Sequence, residues 1–404
     1  MKLFELVEEE DCKIGSADVE ESCILQLHRN HKEKIRIDFP SPITDHSYIL
    51  RSKGHIGYIP VSDDYLFRIH PKVPIGNIFR MLEYAYNLKS FQFLQGGSNI
   101  DSIEDLFEYL VSILAKRVLD RARQGLYRDY LRKQDDLKYI RGKVMLLQAG
   151  RAIAKGSTRI ECEYQEHTAD LIDNQILAWT LYQLPRFVLK RDDVRQQVRQ
   201  AHYALAGAVA IVPVAMQDCV NRLYHRLNED YKPLHSLCRF FLEQCGPSLK
   251  IGDHFMQPFT LYMPNLFESF VAEWLRANID SQMYLSPQYE AILDDNGRFL
   301  FRIDLVLADA ETERILAVMD TKYKRDPRPS EEDIKDIVAY AARMKTACGI
   351  LIYPSTYTEN INLQVGNINV RSLNVDLADN PEDGGRRFLD RMMEVLRVNI
   401  KSGH

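Results

Sequence analysis

The sequence predicts an α+β multidomain chain, with a β-rich amino-terminal module (1–74), a mostly helical middle region (75–250) and a carboxy-terminal α/β domain with a mixed sheet (251–404). Three observations predict it. Short apolar runs broken by turn residues fill the chain as far as Pro74, and from Ile75 the apolar spacing changes to three and four. Beyond Pro258 an amphipathic helix is followed by a meander of strand-length runs, a second helix and a buried strand.

In the first module the strand-like runs are Ser22–Leu27, Lys34–Phe39, Tyr48–Arg51, His55–Val61 and Tyr65–Ile69. Ser52-Lys53-Gly54, Ser62-Asp63-Asp64 and Pro40-Ser41-Pro42 separate them as turns. No group of His, Cys or carboxylates there suggests chemistry, which leaves docking of a partner or a purely structural role.

In the middle region Ile78, Met81, Leu82 and Ala85 form one helical stripe, and Leu106, Tyr109, Leu110, Ile113, Leu114 and Val118 form another, with Asp101 or Ser102 as cap. The segment Lys116–Arg151 is markedly basic and interleaved with tyrosines, so Arg128, Arg132 and Lys133 are candidates for contacting DNA or a partner. The alternative is a solvated helix face. A strand over Arg159–Tyr164 precedes further helices over 171–184, 188–208 and 220–244. Glu161, Glu163, Glu166, His167, Asp170 and Asp173 match no metal-ligand spacing and suit capping and surface roles better.

Composition narrows the classes. With 52 Lys and Arg against 57 Asp and Glu, the net charge of −5 excludes a general polyanion binder but not a local basic surface. Seven cysteines without a CxxC pair suggest reduced thiols and argue against a structural zinc site. Neither a signal-peptide core nor a bilayer-spanning apolar run is present, so a cytoplasmic protein with no membrane partner is expected.

The carboxy-terminal third carries the chemistry. Residues 245–258 suggest a linker, and a helix follows over LFESFVAEWLRANI. Strands are expected at Ser286–Leu293, Arg298–Leu307 and Ile315–Lys324, the first two joined by a hairpin turn at Asp294-Asp295-Asn296-Gly297. A helix capped by Ser330 then runs from Glu331 to Lys345, followed by strands Gly349–Tyr353 and Ile368–Val375 and a helix Gly385–Val398. Asp304 lies between Ile303 and Leu305 in an apolar strand, where an unpaired carboxylate would cost several kcal/mol. Asp320 and Lys322, two apart in the next strand, point the same way, and a hairpin would bring Asp304 beside them. Such a set suits phosphodiester hydrolysis with Mg²⁺, or Mn²⁺, on Asp304, Asp320 and the Thr321 carbonyl. Lys322 would orient or help deprotonate the attacking water, and Glu268 on the preceding helix would be a further ligand. Lys324, Arg325 and Tyr340 are candidates for touching DNA; exposed cations and plain packing are the alternatives.

Asp304 followed by Asp320-Thr321-Lys322 resembles the PD-(D/E)xK nuclease superfamily, with Ile303-Asp304 in place of the literal Pro-Asp. Further stretches resemble one branch of it, the McrC family: NLFESFV (Asn265–Val271), RIDLVL (Arg302–Leu307), MDTKYK (Met319–Lys324), Gly54–Ala85, YIRGKV (Tyr139–Val144) and Glu161–Leu181. The resemblance implies a restriction-endonuclease-like carboxy-terminal domain, cleavage of modified DNA, and docking on a McrB-like AAA+ GTPase hexamer that the chain stimulates. It also implies pairing of whole complexes. The chain itself has no GxxxxGK[ST] motif and no nucleotide of its own is expected. Asp336 stands where many members carry Gln. A stand-alone nuclease of another defence or repair system and a non-catalytic ring-docking adaptor are the competing readings.

Overall fold

Alternating apolar residues build the first sheets of the computed structural model, which describes residues 2–62, 64–88, 100, 102–187, 189–244, 249–251, 254–256, 258–292, 300–324, 328–354, 361–377 and 381–402. The architecture is α+β, with mixed and antiparallel sheets. Two compact units form, one from Met1–Phe107 with Gly246–His404 and one from Glu108–Cys245.

The first unit opens with β1 (Lys2–Val7), β2 (Cys12–Gly15), α1 (Glu21–His31), β3 (Ile35–Asp38), β4 (Ser47–Ser52), β5 (His55–Pro60), β6 (Tyr65–His70) and α2 (Ile75–Ala85). β1 runs parallel to β6 over its whole length, and β6 is antiparallel to β5. β2, β4 and β3 make a separate antiparallel sheet. Ile24, Leu27, Leu50, Ile59, Phe67 and Ile69 fill the core between them. The strand expected over Ser22–Leu27 is instead part of α1. Its buried residues Cys23, Ile24, Leu27 and His31 recur at helical spacing, which a six-residue window is too short to reveal.

α3 (Ile103–Gln124) leads into the second unit, which holds β7 (Asp129–Leu137), β8 (Lys143–Val144), α4 (Leu146–Ala154), β9 (Ile160–Thr168), α5 (Ile172–Gln183), α6 (Asp192–Leu205) and α7 (Tyr231–Gln244). β9 lies between β7 and β8, antiparallel to both. The basic segment 116–151 is thus divided, with Lys116, Arg117, Arg121 and Arg123 on α3 and Arg132 and Lys133 on the strand β7. Ile176, Leu177 and Leu181 of α5 are buried, and Tyr231 of α7 donates to Asn174 Oδ1 at 2.7 Å.

The chain returns to the first unit with β10 (Leu249–Ile251) and β11 (His254–Met256), an antiparallel pair inside the stretch expected as a linker. β12 (Phe259–Tyr262), α8 (Met263–Asn278), β13 (Met283–Ile292), β14 (Leu300–Asp309), β15 (Ile315–Thr321), α9 (Glu331–Arg343), β16 (Cys348–Tyr353), β17 (Asn362–Val365), β18 (Ile368–Asn374) and α10 (Pro381–Ser402) follow. β12 does not join its sequence neighbours. It pairs antiparallel with β5 and completes the amino-terminal sheet in the order β1-β6-β5-β12. Gly57 permits that approach, since its φ is +122° and a Cβ would run into the Phe259 carbonyl.

The remaining strands form a mixed six-stranded sheet in the order β13-β14-β15-β16-β18-β17. β13, β14 and β15 run antiparallel in succession, whereas β16, which follows α9 in the chain, lies parallel to β15. The hairpin turn expected at Asp294–Gly297 lies outside the described residues. Among the described residues no helix is long and apolar enough to cross a membrane.

Candidate active site at the end of the six-stranded sheet

β14 and β15 pair with Leu305 opposite Met319, so the residues just beyond, Asp304 and Asp320, come together at one end of the sheet. Asp304 Oδ2 accepts two hydrogen bonds from Thr321, from its N–H at 2.8 Å and from its hydroxyl at 2.8 Å. Asp320 is only 4% exposed. Lys322 Nζ lies 2.6 Å from Asp320 Oδ2, which is the same-face pairing expected of positions two apart in extended chain. The Lys322 N–H donates to the Ile352 carbonyl at 2.8 Å and holds the chain extended past the end of β15.

The charges in this corner oppose one another. Burial, then the charge of Asp304, pushes the Asp320 carboxyl up to about 6 against the pull of Lys322. Burial and the charges of Asp304 and Asp320 raise Glu268 to about 7, although the Gln288 side-chain amide donates to it. Burial would lower the Lys322 pKa, but Asp320, Asp333 and Asp304 outweigh it and the ammonium is held above its usual range. These carboxylates favour the protonated, donating form of Lys322.

A bound cation would relieve this crowding of carboxylates. Among the described residues no three His, Cys, Asp or Glu side chains are grouped as a metal cage. Mg²⁺ does not require one, because it keeps several waters and takes one or two carboxylates together with substrate phosphate oxygens. The donor chemistry of Asp304 and Asp320, all hard oxygen, fits that ion.

The other residues singled out from the sequence lie elsewhere or are already engaged. Lys324 Nζ is 2.7 Å from both oxygens of Asp333, and Arg325 falls outside the described residues. Tyr340 is half-buried and meets the Phe301 ring edge-on at 5.0 Å. In the second unit Arg128 is exposed, whereas Arg132 pairs with Glu163 at 3.1 Å and Lys133 with Glu166 at 2.5 Å. Glu163 and Glu166 of β9 therefore answer both cations of β7, a strand that also carries Asp129, Asp135 and Asp136. Asp170 accepts from Gln175 and from the Ala210 N–H, a local structural role.

Two residues of this corner have no part in the site expected from the sequence, although the first, Asp333, falls there on one helix face with Asp336 and Tyr340. Asp333 is 3% exposed, forms a capping box with Ser330 and stands 3.8 Å from Lys322. Its signal was the Ser-x-x-Asp spacing before an apolar helix. Gln288 adopts a left-handed φ of +50° within β13 and turns its amide onto Glu268. Nothing local in the sequence announces it.

A family model described as "McrBC 5-methylcytosine restriction system component" matches residues 50–354. The chain is 23% identical over 312 residues to the type IV methyl-directed restriction enzyme EcoKMcrBC of Escherichia coli (strain K12), spanning 71% of this chain and 88% of that protein. It also superimposes on a refined half-complex from a tetradecameric assembly of Thermococcus gammatolerans McrB AAA+ hexamers with bound McrC. That match has a TM-score of 0.57 and 18% identity and covers 97% of this chain and 100% of the other, a likeness of fold. The family match spans well over half of the chain and takes in Glu268, Asp304, Asp320 and Lys322 together, so the chain belongs to the McrBC 5-methylcytosine restriction system component family.

Proposed function

We propose that this chain is the Mg²⁺-dependent DNA-cleaving subunit of a McrBC-type restriction system, with a nuclease domain of PD-(D/E)xK type in its carboxy-terminal third. The observation that carries the reading is the convergence of Asp304, Asp320 and Lys322 at one end of the mixed sheet, with Glu268 close enough for its charge to be felt. Asp304, Asp320, the Thr321 carbonyl and Glu268 would hold Mg²⁺, or Mn²⁺ in its place. Bound there, the ion would supply an activated water and neutralise charge on the phosphoryl group.

The protein's own groups do the positioning. Thr321 orients Asp304 through two hydrogen bonds, and Asp320 and Asp333 hold the Lys322 ammonium from two sides. An ammonium so held can donate to a phosphate oxygen or to the attacking water and offset developing negative charge. Family membership and the likeness to a McrC-bound assembly support an AAA+ GTPase hexamer of McrB type as the partner, with modified DNA as the shared substrate.

The test is cleavage of methylated plasmid by purified protein with Mg²⁺, with and without such a partner and GTP. Asp320→Ala is expected to cut at least about a hundredfold more slowly, the scale seen when one electrostatic group is removed from a reacting centre. A variant that cuts as well as wild type would end the catalytic assignment. Full activity without a partner would favour a stand-alone nuclease.

A further inference from the structure

Tyr323 lies between the two lysines of the candidate site and is held from outside the nuclease sheet. Its hydroxyl donates to Glu8 Oε2 at 3.1 Å, and its ring packs against Phe267 with centroids 5.9 Å apart. Phe267 is the neighbour of Glu268 on α8, so one side chain touches both the Lys322 segment and the helix that carries Glu268.

Glu8 directly follows β1 of the amino-terminal sheet, in the turn that ends it, and is fully buried. Its N–H donates to the His70 carbonyl at 2.9 Å, and its Oε2 also accepts from the Lys72 N–H at 3.4 Å. The next residue, Glu9, turns the chain in a left-handed conformation (φ +55°) and pairs with Lys72 Nζ at 2.9 Å. Glu8 is thereby tied to the ends of β1 and β6, which pair without interruption from Lys2 with Tyr65 to Val7 with His70. A buried carboxylate is an expensive way to fill space, and an apolar side chain of similar volume would stabilise the fold as well or better. What Glu8 offers that an apolar side chain cannot is an acceptor shared by the Lys72 N–H and the Tyr323 hydroxyl, which joins the end of the amino-terminal sheet to the Lys322 segment.

We propose that Glu8 and Tyr323 form a strut through which the amino-terminal sheet sets the positions of Lys322 and Glu268, so that both are positioning residues of the nuclease. Cleavage then depends on how the amino-terminal sheet is seated, which gives anything that docks on that sheet a direct mechanical handle on the site. The proposal rests on the nuclease reading above.

The test uses the full chain with its partner, Mg²⁺ and methylated plasmid. Tyr323→Phe keeps the ring on Phe267 and removes only the hydroxyl. Glu8→Met fills the volume without an acceptor, and Glu8→Gln keeps an acceptor oxygen. Tyr323→Phe and Glu8→Met are each expected to lower kcat about tenfold to a hundredfold, the scale of a small misplacement of reacting groups, with KM and the thermal midpoint close to wild type. Glu8→Gln is expected to stay close to wild type, and Tyr323→Phe combined with Glu8→Met to be no worse than either alone. Amide exchange at Thr321 and Lys322 should accelerate in the two impaired variants and not in Glu8→Gln, a readout independent of cleavage.

Wild-type kcat and exchange in Tyr323→Phe would overturn the strut, as would a loss of kcat that simply follows a loss of thermal midpoint. Asp320→Ala separates the two readings. If it abolishes cleavage while Tyr323→Phe does nothing, the strut is wrong and the nuclease reading stands. If it leaves cleavage intact, the nuclease reading falls, and the exchange data still decide whether Glu8 orders the 321–322 segment.

Discussion

Replacing Glu268 by Gln should make the metal-free protein more stable at alkaline pH while impairing its activity. In the folded protein the Glu268 carboxyl is pushed from 4.5 to about 7 by burial and by Asp304 and Asp320. At about 1.4 kcal/mol per pH unit, that displacement corresponds to roughly 3 kcal/mol. The side chain is only partly buried, however, and screening reduces the expected effect to about 1–2 kcal/mol. Because the folded pKa lies above the unfolded one, the folded state binds the proton more tightly. The stability that Glu268 contributes is complete below pH 4.5 and is lost as pH rises through about 7. Gln carries no charge to repel its neighbours and can still accept from Gln288. Thermal unfolding in a chelator should therefore show matching midpoints near pH 4.5 and a variant higher by about 2–6 °C at pH 8, for a unit of this size. Adding Mg²⁺ at pH 8 should raise the wild-type midpoint more than the variant's. A variant no more stable than wild type at pH 8, or a gap that widens towards acid, would refute the reasoning.

Two further outcomes follow from the ion pairs. Asp333→Ala removes the reciprocal half of the α9 capping box, the acceptor of the Ser330 N–H, and leaves Lys324 and Lys322 short of a buried partner, so urea unfolding should show a loss of about 2–4 kcal/mol; a loss under about 0.5 kcal/mol would show that the lysines relax into water at no cost. In the second unit, Lys133→Glu places a like charge beside Glu166 and should cost up to about 1 kcal/mol, with Glu166→Lys added to it restoring most of the loss. If the double exchange does not recover stability, the β7–β9 pairing does not depend on those charges.

The heart of the candidate site was legible because its parts are close in sequence and on adjacent strands. Asp304, Asp320 and Lys322 fall within twenty residues, and strand alternation alone places the last two on one face. The Ser330 cap was legible for the same reason, since capping boxes are written in four consecutive residues. Ser22–Leu27 was misread because a short apolar run carries no period. The basic candidates at Arg132 and Lys133 could be found from composition, but that they are answered by Glu163 and Glu166 depends on the register of β7 against β9.

By itself the sequence determined the α+β class, the helices and longer strands of the last third but not β10, β11, β12 or β17, and the closeness of Asp304, Asp320 and Lys322, all of which follow from local periodicity and turn chemistry. Only the tertiary structure decided that β12 completes the amino-terminal sheet by pairing with β5, some two hundred residues earlier, and that Lys324 pairs with Asp333. It alone brought Glu8 onto Tyr323 across 315 residues. Pairings at such separations leave no mark in a local pattern, because they depend on which buried polar atoms and strand edges meet once the whole core has closed.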